Sequence, residues 1–526
     1  MALTVSYPGV YVQEIGAPPP PDAGVTTSLA AFVGRAPMGP VDTPVTLNSW
    51  GDYHRVFGGL DGDSSMSYQV NAFFENGGSQ AVCVRLFEPP AGGDMDGCCA
   101  TMPLGPDAAG ENAPLVLAAA SPGSWGDRLS ATVDATGVTE ETARGLGVSD
   151  PASLFNLTVA YEAPNGAVRS ERFANVTLDP AYPALLLRHV LAEQSQLVTW
   201  SSGGAVAAGA SGQGQGGRDS APLSIGAWLG DPVRKTGLYA LDQTPGFNIL
   251  CIPPDDIDGD TPPVVYQAAA EYCVTRNAML IIDPPTRWQA DYARGELQAV
   301  SMADLGAFGV EAGRSSAVYF PRVQAADPLR NGQVRTFPNS GYTAGLWAQT
   351  DVQSGVWKAP AGLSAALNGV AGLPVVLTDA ENGLLNPLGV NCLRTFPIGG
   401  TVIWGARTLR GADVLGDDYA YIPVRRLMLY LTEWTLQNTK WAAFQPNDEA
   451  LWAALRSQVS SFMNDLWRQG ALFGSASNQA WFVTCDATTT SLADIEAGRV
   501  NIQIGFAPVR PAEFVILNLQ QTAGQG

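Results

Sequence analysis

Apolar residues follow two patterns in this chain, one typical of buried strands and one typical of helices. Nearly continuous apolar runs lie at 247–254, 278–285 and 315–323, and helical patterns at 264–275 and 295–309 lie between them. Strands that are apolar on both faces and alternate with helices are typical of a parallel sheet covered on both sides. We therefore predict an α/β core in this part of the chain.

The first ninety residues add a second α/β segment. The order is strand, helix, helix and strand, at 26–37, 49–59, 67–78 and 80–87. Ser49 is in place to cap the first helix, and Gly77 with Gly78 ends the second. The Pro- and Gly-rich stretch that follows marks a domain boundary near residue 90.

The pattern changes to alternating strands between residues 91 and 202. Two strands flank Pro164, Asn165 and Gly166, which is the composition of a hairpin turn. The segment 201–220 is rich in Gly, Ser and Ala and is expected to be mobile. We interpret 91–235 as an inserted β-rich domain.

The clearest helix covers residues 447–470. Its apolar positions fall on one stripe, and the residues are Leu451, Leu455, Val459, Phe462 and Leu466. Asn447 or Asp448 could cap it, and Gly470 should end it.

Charge and cysteine usage exclude several classes of protein. Only 15% of the residues are charged, the net charge is −20, and the lysines are Lys235, Lys358 and Lys440. Without a basic cluster, nucleic-acid binding is not expected. Seven cysteines with no paired spacing favour a reducing compartment. We expect no secretory signal, because the first residues lack a basic region followed by an apolar one. We expect no membrane insertion, because no apolar run is long enough to span a bilayer.

Candidate chemistry is scarce. The two histidines, His54 and His189, are predicted to lie in different domains, which argues against a nucleophile–histidine site. No lysine follows a glycine in a phosphate-binding loop, and the acidic turn 255–260 lacks the glutamate register of a calcium loop. The sequence therefore predicts no catalytic, cofactor-binding or metal site, and no enzyme.

Both ends of the chain contain a short strand pattern. At the start, Val10, Val12 and Ile15 are apolar, with Tyr11, Gln13 and Glu14 between them, and four prolines follow at 18–21. At the other end, the apolar run 512–519 precedes a Gly- and Gln-rich tail. Prolines favour an extended, stiff segment that would hold the first strand away from its own domain. From the residues alone, pairing within the chain and pairing with a neighbour are equally open.

Several ordered segments resemble the contractile tail sheath family. At the start of the chain these are "YPGVYVQEI", "GVTTSLAAFVGRAPMGPVDTPV", "FENGGSQAVCVRL" and "SPGSWGDRL". The match is densest near the end, with "SGYTAGLWAQTDVQSGVWKAPAG", "LNPLGVNCLRTFP", "VIWGARTL", "YIPVRRLMLYL", "FQPNDEALW", "GALFG" and "IGFAPVRPAEFVIL". The stretch "FPNSG" before and at Ser340 and the loose segment 201–220 depart from the family pattern.

This resemblance implies a structural protein that forms hexameric rings stacked around an inner tube. On contraction, the sheath drives the tube through a target envelope. The implied partners are further copies of the chain, the inner tube protein, and baseplate and terminal cap proteins. Assembly would occur in the cytoplasm of the producing cell, within a phage tail, a tailocin or an injection particle. The alternatives are another assembly protein, such as a baseplate or capsid component, and more distantly an acidic hydrolase.

The resemblance also implies two sets of interacting residues. Strands exchanged between subunits would be anchored by Val10, Tyr11, Val12, Ile15, Phe514, Val515, Ile516 and Leu517. A tube-facing helix would present Asp448, Glu449, Arg456, Asp465 and Arg468. The alternative is a helix that lies wholly inside its own domain.

The predicted fold is therefore multidomain and mixed α/β, with exchanged terminal strands. The predicted segments are an N-terminal arm at 1–22, a first core part at 23–90, the inserted domain at 91–235, the α/β core at 236–339, a C-terminal sheath domain at 340–510 and a C-terminal strand arm at 511–526.

Overall fold

The computed structural model describes residues 24–105 and 113–513, and these form two compact units. The larger unit consists of Ser28–Gln353 and Pro360–Ile422. The smaller unit consists of the residues up to Thr27, Ser354–Ala359 and the residues from Pro423 onward. Each unit has its own apolar core.

The larger unit begins with the strand–helix–helix–strand order predicted from the sequence. Its elements are β1 (Ala30–Arg35), β2 (Pro44–Leu47), α1 (Trp50–Phe57), α2 (Met66–Glu75) and β3 (Ala81–Leu86). The Ser49 side chain accepts a hydrogen bond from the Asp52 N–H, so it caps α1 as predicted. The short antiparallel strand β2 is an addition to that prediction.

The next segment contains seven strands and two short helices. Its elements are β4 (Thr101–Leu104), β5 (Leu115–Ala119), β6 (Leu129–Asp134), α3 (Glu140–Gly145), β7 (Leu154–Glu162), β8 (Val168–Thr177), α4 (Leu187–Gln194), β9 (Val198–Ser202) and β10 (Ser211–Gln213). The predicted hairpin is present, because β7 and β8 pair antiparallel across a turn in which Gly166 has a φ of +80°. These strands enclose a separate apolar cluster.

The chain then returns to the central sheet. The elements are α5 (Ile225–Leu229), β11 (Ile249–Cys251), α6 (Pro263–Thr275), β12 (Met279–Ile282), α7 (Thr286–Ala293), α8 (Val310–Arg314), β13 (Ser316–Phe320), β14 (Val323–Asp327), β15 (Gln333–Phe337), α9 (Ser340–Ser354), α10 (Asp379–Leu385), β16 (Val390–Phe396) and β17 (Gly400–Trp404). The remaining elements are α11 (Ile422–Asn438), α12 (Glu449–Arg468), α13 (Ser477–Ala480), β18 (Trp481–Thr484), α14 (Leu492–Glu496) and β19 (Gln503–Phe506).

The central sheet has eight strands in the order β17-β16-β13-β12-β11-β1-β3-β2. The six inner strands are parallel, and the two edge strands are antiparallel to their neighbours. Both faces are buried, as adjacent residues of β13 demonstrate. The Tyr319 hydroxyl accepts from the Trp347 indole N–H of α9 at 3.0 Å, while Phe320 packs against Trp288 of α7. The predicted parallel sheet covered by helices is thus confirmed.

The helix predicted at 295–309 is absent, and that prediction was wrong. Only single 3₁₀ turns form there, at Leu297–Ala299 and Met302–Leu305. Ser301 between them is extended, and its side chain accepts from the Ala303 N–H. A serine side chain that hydrogen-bonds to nearby backbone competes with helix formation. The apolar residues of this segment therefore lie on two short turns and not on one helix.

The Gly-rich segment 201–220 contains strand β10, where the sequence suggested a mobile loop. β10 pairs with β6, and Gln215 exchanges both backbone hydrogen bonds with Thr101, the first residue of β4. A β-carbon on Gly214 would lie 2.0 Å from the Gly126 carbonyl oxygen, and one on Gly212 would lie 2.4 Å from that of Pro103. These glycines allow close approach between backbones, a role that composition alone does not distinguish from flexibility.

Candidate interaction surfaces in the smaller unit

The long helix α12 forms where the sequence predicted it. The Asp448 carboxylate accepts from the Leu451 N–H and caps its first turn, and Gly470 follows its end with a φ of +83°. The five stripe residues predicted to face a core are all buried. Phe462 stacks on Trp434 of α11. One face of this helix therefore belongs to the core of its own unit.

The opposite face of α12 is exposed and polar. Of the predicted tube-facing residues, Asp448, Glu449, Asp465 and Arg468 are exposed. Arg456 is only partly exposed, since its guanidinium donates to the Cys485 carbonyl oxygen at 2.6 Å and lies 3.6 Å from the Glu449 carboxylate. The structure thus brings all five residues onto one helix, with Arg456 already bound inside the unit.

A two-stranded antiparallel sheet lies beside this helix in the smaller unit. β18 and β19 pair from Trp481 opposite Phe506 to Thr484 opposite Gln503. Further along, the Phe473 N–H donates to the Ala507 carbonyl oxygen at 2.8 Å. Among the described residues no third strand pairs with either of these strands. Each strand therefore has an edge to which another strand could be added.

The two faces of this small sheet differ in chemistry. Trp481, Val483, Ile504 and Phe506 pack against the apolar cluster formed by α11 and α12. On the other face, the ring of Phe482 covers Gly505, where a β-carbon would lie 2.0 Å from the ring. The alternation means that an added strand with apolar residues at every second position would extend the buried face.

The described start of the chain joins the same unit. Val25 packs against the cluster of α11 and α12, and the Thr27 carbonyl oxygen accepts from the Arg426 guanidinium at 2.9 Å. The predicted exchange residues Val10, Tyr11, Val12, Ile15, Phe514, Val515, Ile516 and Leu517 all lie outside the described residues. Their pairing stays a prediction.

The residues considered for other chemistry are engaged structurally or separated. His54 and His189 are both exposed, on α1 and α4. In the acidic turn 255–260, three carboxylates bind arginines, in the pairs Asp255–Arg35, Asp258–Arg335 and Asp260–Arg322. The sequence did not predict these partners, because they lie far away along the chain.

The described residues also contain no group of three or more His, Cys, Asp or Glu side chains arranged to hold a metal ion. All seven cysteines are free thiols. Within 24–105 and 113–513, no helix combines the length and the apolar character needed to cross a membrane.

Comparison with known families identifies two domains in the sequence. Residues 274–409 match the phage tail sheath protein central domain, and residues 416–522 match the phage tail sheath C-terminal domain.

Two relatives are also named as tail sheath proteins. A protein named as a prophage major tail sheath protein in Pseudomonas aeruginosa strain UCBPP-PA14 is 29% identical over 199 residues, which is 37% of this chain. The chain spans 48% of that relative. The tail sheath protein of Burkholderia phage BcepMu is 24% identical over 502 residues, covering 93% of this chain and 91% of the relative.

The fold is also found in solved structures. The helical sheath of the anti-feeding prophage in its contracted state matches with a TM-score of 0.57 and 22% identity. The match covers 99% of this chain and 100% of that one.

Proposed function

Because this chain belongs to the contractile tail sheath family, we propose that its copies polymerise as stacked hexameric rings around an inner tube and contract to drive that tube through a target envelope. It is a structural sheath subunit of a phage tail or contractile injection particle, and its family is not an enzyme family. Assembly in the cytoplasm of the producing cell, with a baseplate and a terminal cap as partners, is part of this proposal.

The observation that carries the proposed polymerisation is the two-stranded sheet β18–β19, with two edges open among the described residues. Strand addition gains main-chain hydrogen bonds and places alternate side chains in apolar sites. Val10 and Val12 at one end of the chain, and Phe514 and Ile516 at the other, have this alternation. We propose that these segments, including Tyr11, Ile15, Val515 and Leu517, join the small sheets of neighbouring subunits.

Removal of residues 1–22 tests the exchange directly. The truncated chain is expected to fold as a soluble monomer and to form no sheaths in electron micrographs. A sharper pair of variants separates apolar from polar positions of the strand: V10D/V12D should block polymerisation, whereas Q13D, which replaces one polar side chain by another, should not. Normal striated sheaths from V10D/V12D or from the truncation would contradict the exchange.

The exposed face of α12 is proposed to contact the inner tube. Asp448, Glu449, Asp465 and Arg468 would form ion pairs there that are weak and sensitive to salt, which suits a tube that must be released. Arg456 is a poorer test residue, because its substitution would also remove the hydrogen bond to Cys485. We expect D465K/R468E to weaken tube binding in low salt, with sheath formation retained. Unchanged tube binding would favour a helix that serves only its own domain.

Contraction requires two packings of the subunits, with the extended one held metastable. We propose that the subunit bodies exchange one set of contacts for another while the strand links persist as hinges. Purified particles should then show striated tubes of two lengths by electron microscopy. A particle of one fixed length and shape would indicate a baseplate or capsid role instead.

A further inference from the structure

The turn between α11 and α12 holds an aromatic residue in a backbone conformation that such residues rarely adopt. Ala443 has a φ of −61° and a ψ of 133°, and Phe444 follows with a φ of +67°. The Gln445 N–H donates to the Ala442 carbonyl oxygen at 3.2 Å. These features match a type II turn, whose third residue is usually Gly or Asn because its φ is positive.

The side chain of Phe444 gains nothing from its own unit. Its relative exposure is 106%, the highest of the exposed large apolar side chains among the described residues. Neither the strained backbone nor the exposed ring stabilises the fold. Strain of this kind persists where the surrounding structure enforces it and is concentrated at functional positions.

The base of the turn is held firmly on both sides. The Trp441 indole N–H donates to Gln458 of α12 at 2.9 Å, and the Trp452 indole N–H donates to the Asn447 side chain at 2.8 Å. The Asn447 amide in turn donates to the Arg499 carbonyl oxygen at 3.0 Å. Because its base is fixed, the backbone that carries the ring is ordered before binding, which lowers the entropy cost of binding.

We propose that Phe444 is an apolar anchor that inserts into an apolar pocket on the inner tube protein. This inference rests on the sheath function proposed above. Phe444 lies four residues before Asp448, which caps the first turn of α12, so it is close to that end of the helix along the chain. The exposed face of α12, for which a tube contact is proposed, carries the small exposed side chains of Ala450, Ser457 and Ser461, over which a partner backbone can approach closely. The turn would then fix one end of the helix on the tube.

The expected strength fits a contact that must be reversible. Burying one phenylalanine ring corresponds to roughly a 10- to 100-fold change in affinity for each subunit. Many subunits bound to one tube add up to firm attachment, while each single contact stays weak enough to be released.

The test uses Phe444→Gly, which suits the positive φ and removes the ring. Its melting temperature should be unchanged or higher, and its binding to sheath-free tubes purified from the producing strain should fall about 10- to 100-fold. Phe444→Leu should retain most of the binding. Val414→Gly is the matched control, since Val414 is 93% exposed in the larger unit, and it should bind tubes normally.

The result that overturns the proposal is tube binding by Phe444→Gly equal to that of the unsubstituted chain. A variant that binds tubes normally but no longer polymerises without them would also overturn it, because the anchor would then contact a second copy. If the unsubstituted chain neither polymerises nor binds tubes, the proposed sheath function itself fails. Polymerisation of the unsubstituted chain with unchanged binding by the variant defeats only the inference about Phe444.

Discussion

The indole of Trp434 and the ring of Phe462 stack face to face, with their centroids 3.7 Å apart and their planes 6° from parallel. Trp434 belongs to α11 and Phe462 to α12, so this contact joins the two long helices of the smaller unit. Aromatic pairs of this kind contribute beyond their buried area. The stack thus holds α12 against α11 through the buried face of α12.

We predict that Phe462→Ala lowers the free energy of unfolding of the smaller unit by about 3–5 kcal/mol, through lost burial and the cavity left behind. Denaturant titration followed by tryptophan fluorescence measures the change. Leu492→Ala, at a site that is 80% exposed, should change it by less than about 0.5 kcal/mol. Equal effects from the two substitutions would contradict the stated role of the stack.

The glycines around β10 yield a second prediction. Gly214→Ala would place a β-carbon 2.0 Å from the Gly126 carbonyl oxygen and should destabilise the larger unit by about 1–3 kcal/mol. Gly204→Ala is the control, because nothing lies within 4 Å of a β-carbon there. Thermal unfolding of the two variants measures whether the segment around β10 is packed or mobile. A mobile segment would tolerate both substitutions alike.

A buried carboxylate at the start of α9 makes stability depend on pH. Burial raises the pKa of Asp283 above its ordinary value, although the Ser340 hydroxyl and the Asn339 N–H both donate to it. The folded chain therefore binds this proton more tightly than the unfolded chain, and the carboxyl destabilises the fold as the pH rises through the folded-state pKa.

Asp283→Asn removes this ionisation and allows the prediction to be measured. The free energy of unfolding is compared between the unsubstituted chain and the variant. As the pH falls from about 7 towards about 4, the range above the unfolded-state pKa, the unsubstituted chain should gain stability relative to the variant. Urea unfolding at a series of pH values measures the difference. A difference that shrinks on acidification would mean that hydrogen bonding outweighs burial at Asp283.

The charge of the chain is distributed unevenly between the units. The smaller unit has eight Lys and Arg residues and ten Asp and Glu residues, so nearly all of the net charge of −20 lies on the larger unit. Copies brought together in a polymer would repel each other through their larger units, and salt screens such repulsion beyond about 10 Å at 0.1 M.

We therefore predict that polymerisation is weaker at low ionic strength. Sedimentation of the purified chain should show a larger polymer fraction when sodium chloride is raised from about 20 mM to about 200 mM, where the Debye length shortens about threefold. Binding to the tube through the charges of α12 should respond in the opposite direction. Polymerisation that declines as salt is added would show that attraction between opposite charges dominates the subunit contacts.

The sequence predicted elements whose determinants are local. The cap at Ser49, the turn at Gly166 and the stripe of α12 follow from nearby residues, and all three are present. Long-range partners could not be read in the same way. The binding of Arg456 to the Cys485 carbonyl oxygen and the arginine partners of the acidic turn depend on how distant segments meet. The exposed ring of Phe444 had only a weak signal, an aromatic residue just before the turn-forming "QPND".

The attachment of Thr27 to Arg426 has a mechanical consequence. Both described ends of the chain, at residues 24 and 513, emerge from the smaller unit. If neighbours hold the segments beyond those ends, a pulling force enters and leaves through this unit, and it bypasses the larger unit as long as the contacts of Val25 and Thr27 with the smaller unit hold. The eight-stranded sheet would then lie outside the path of tension, and additions to the larger unit, for example at the Asn165–Gly166 turn, would leave that path unchanged.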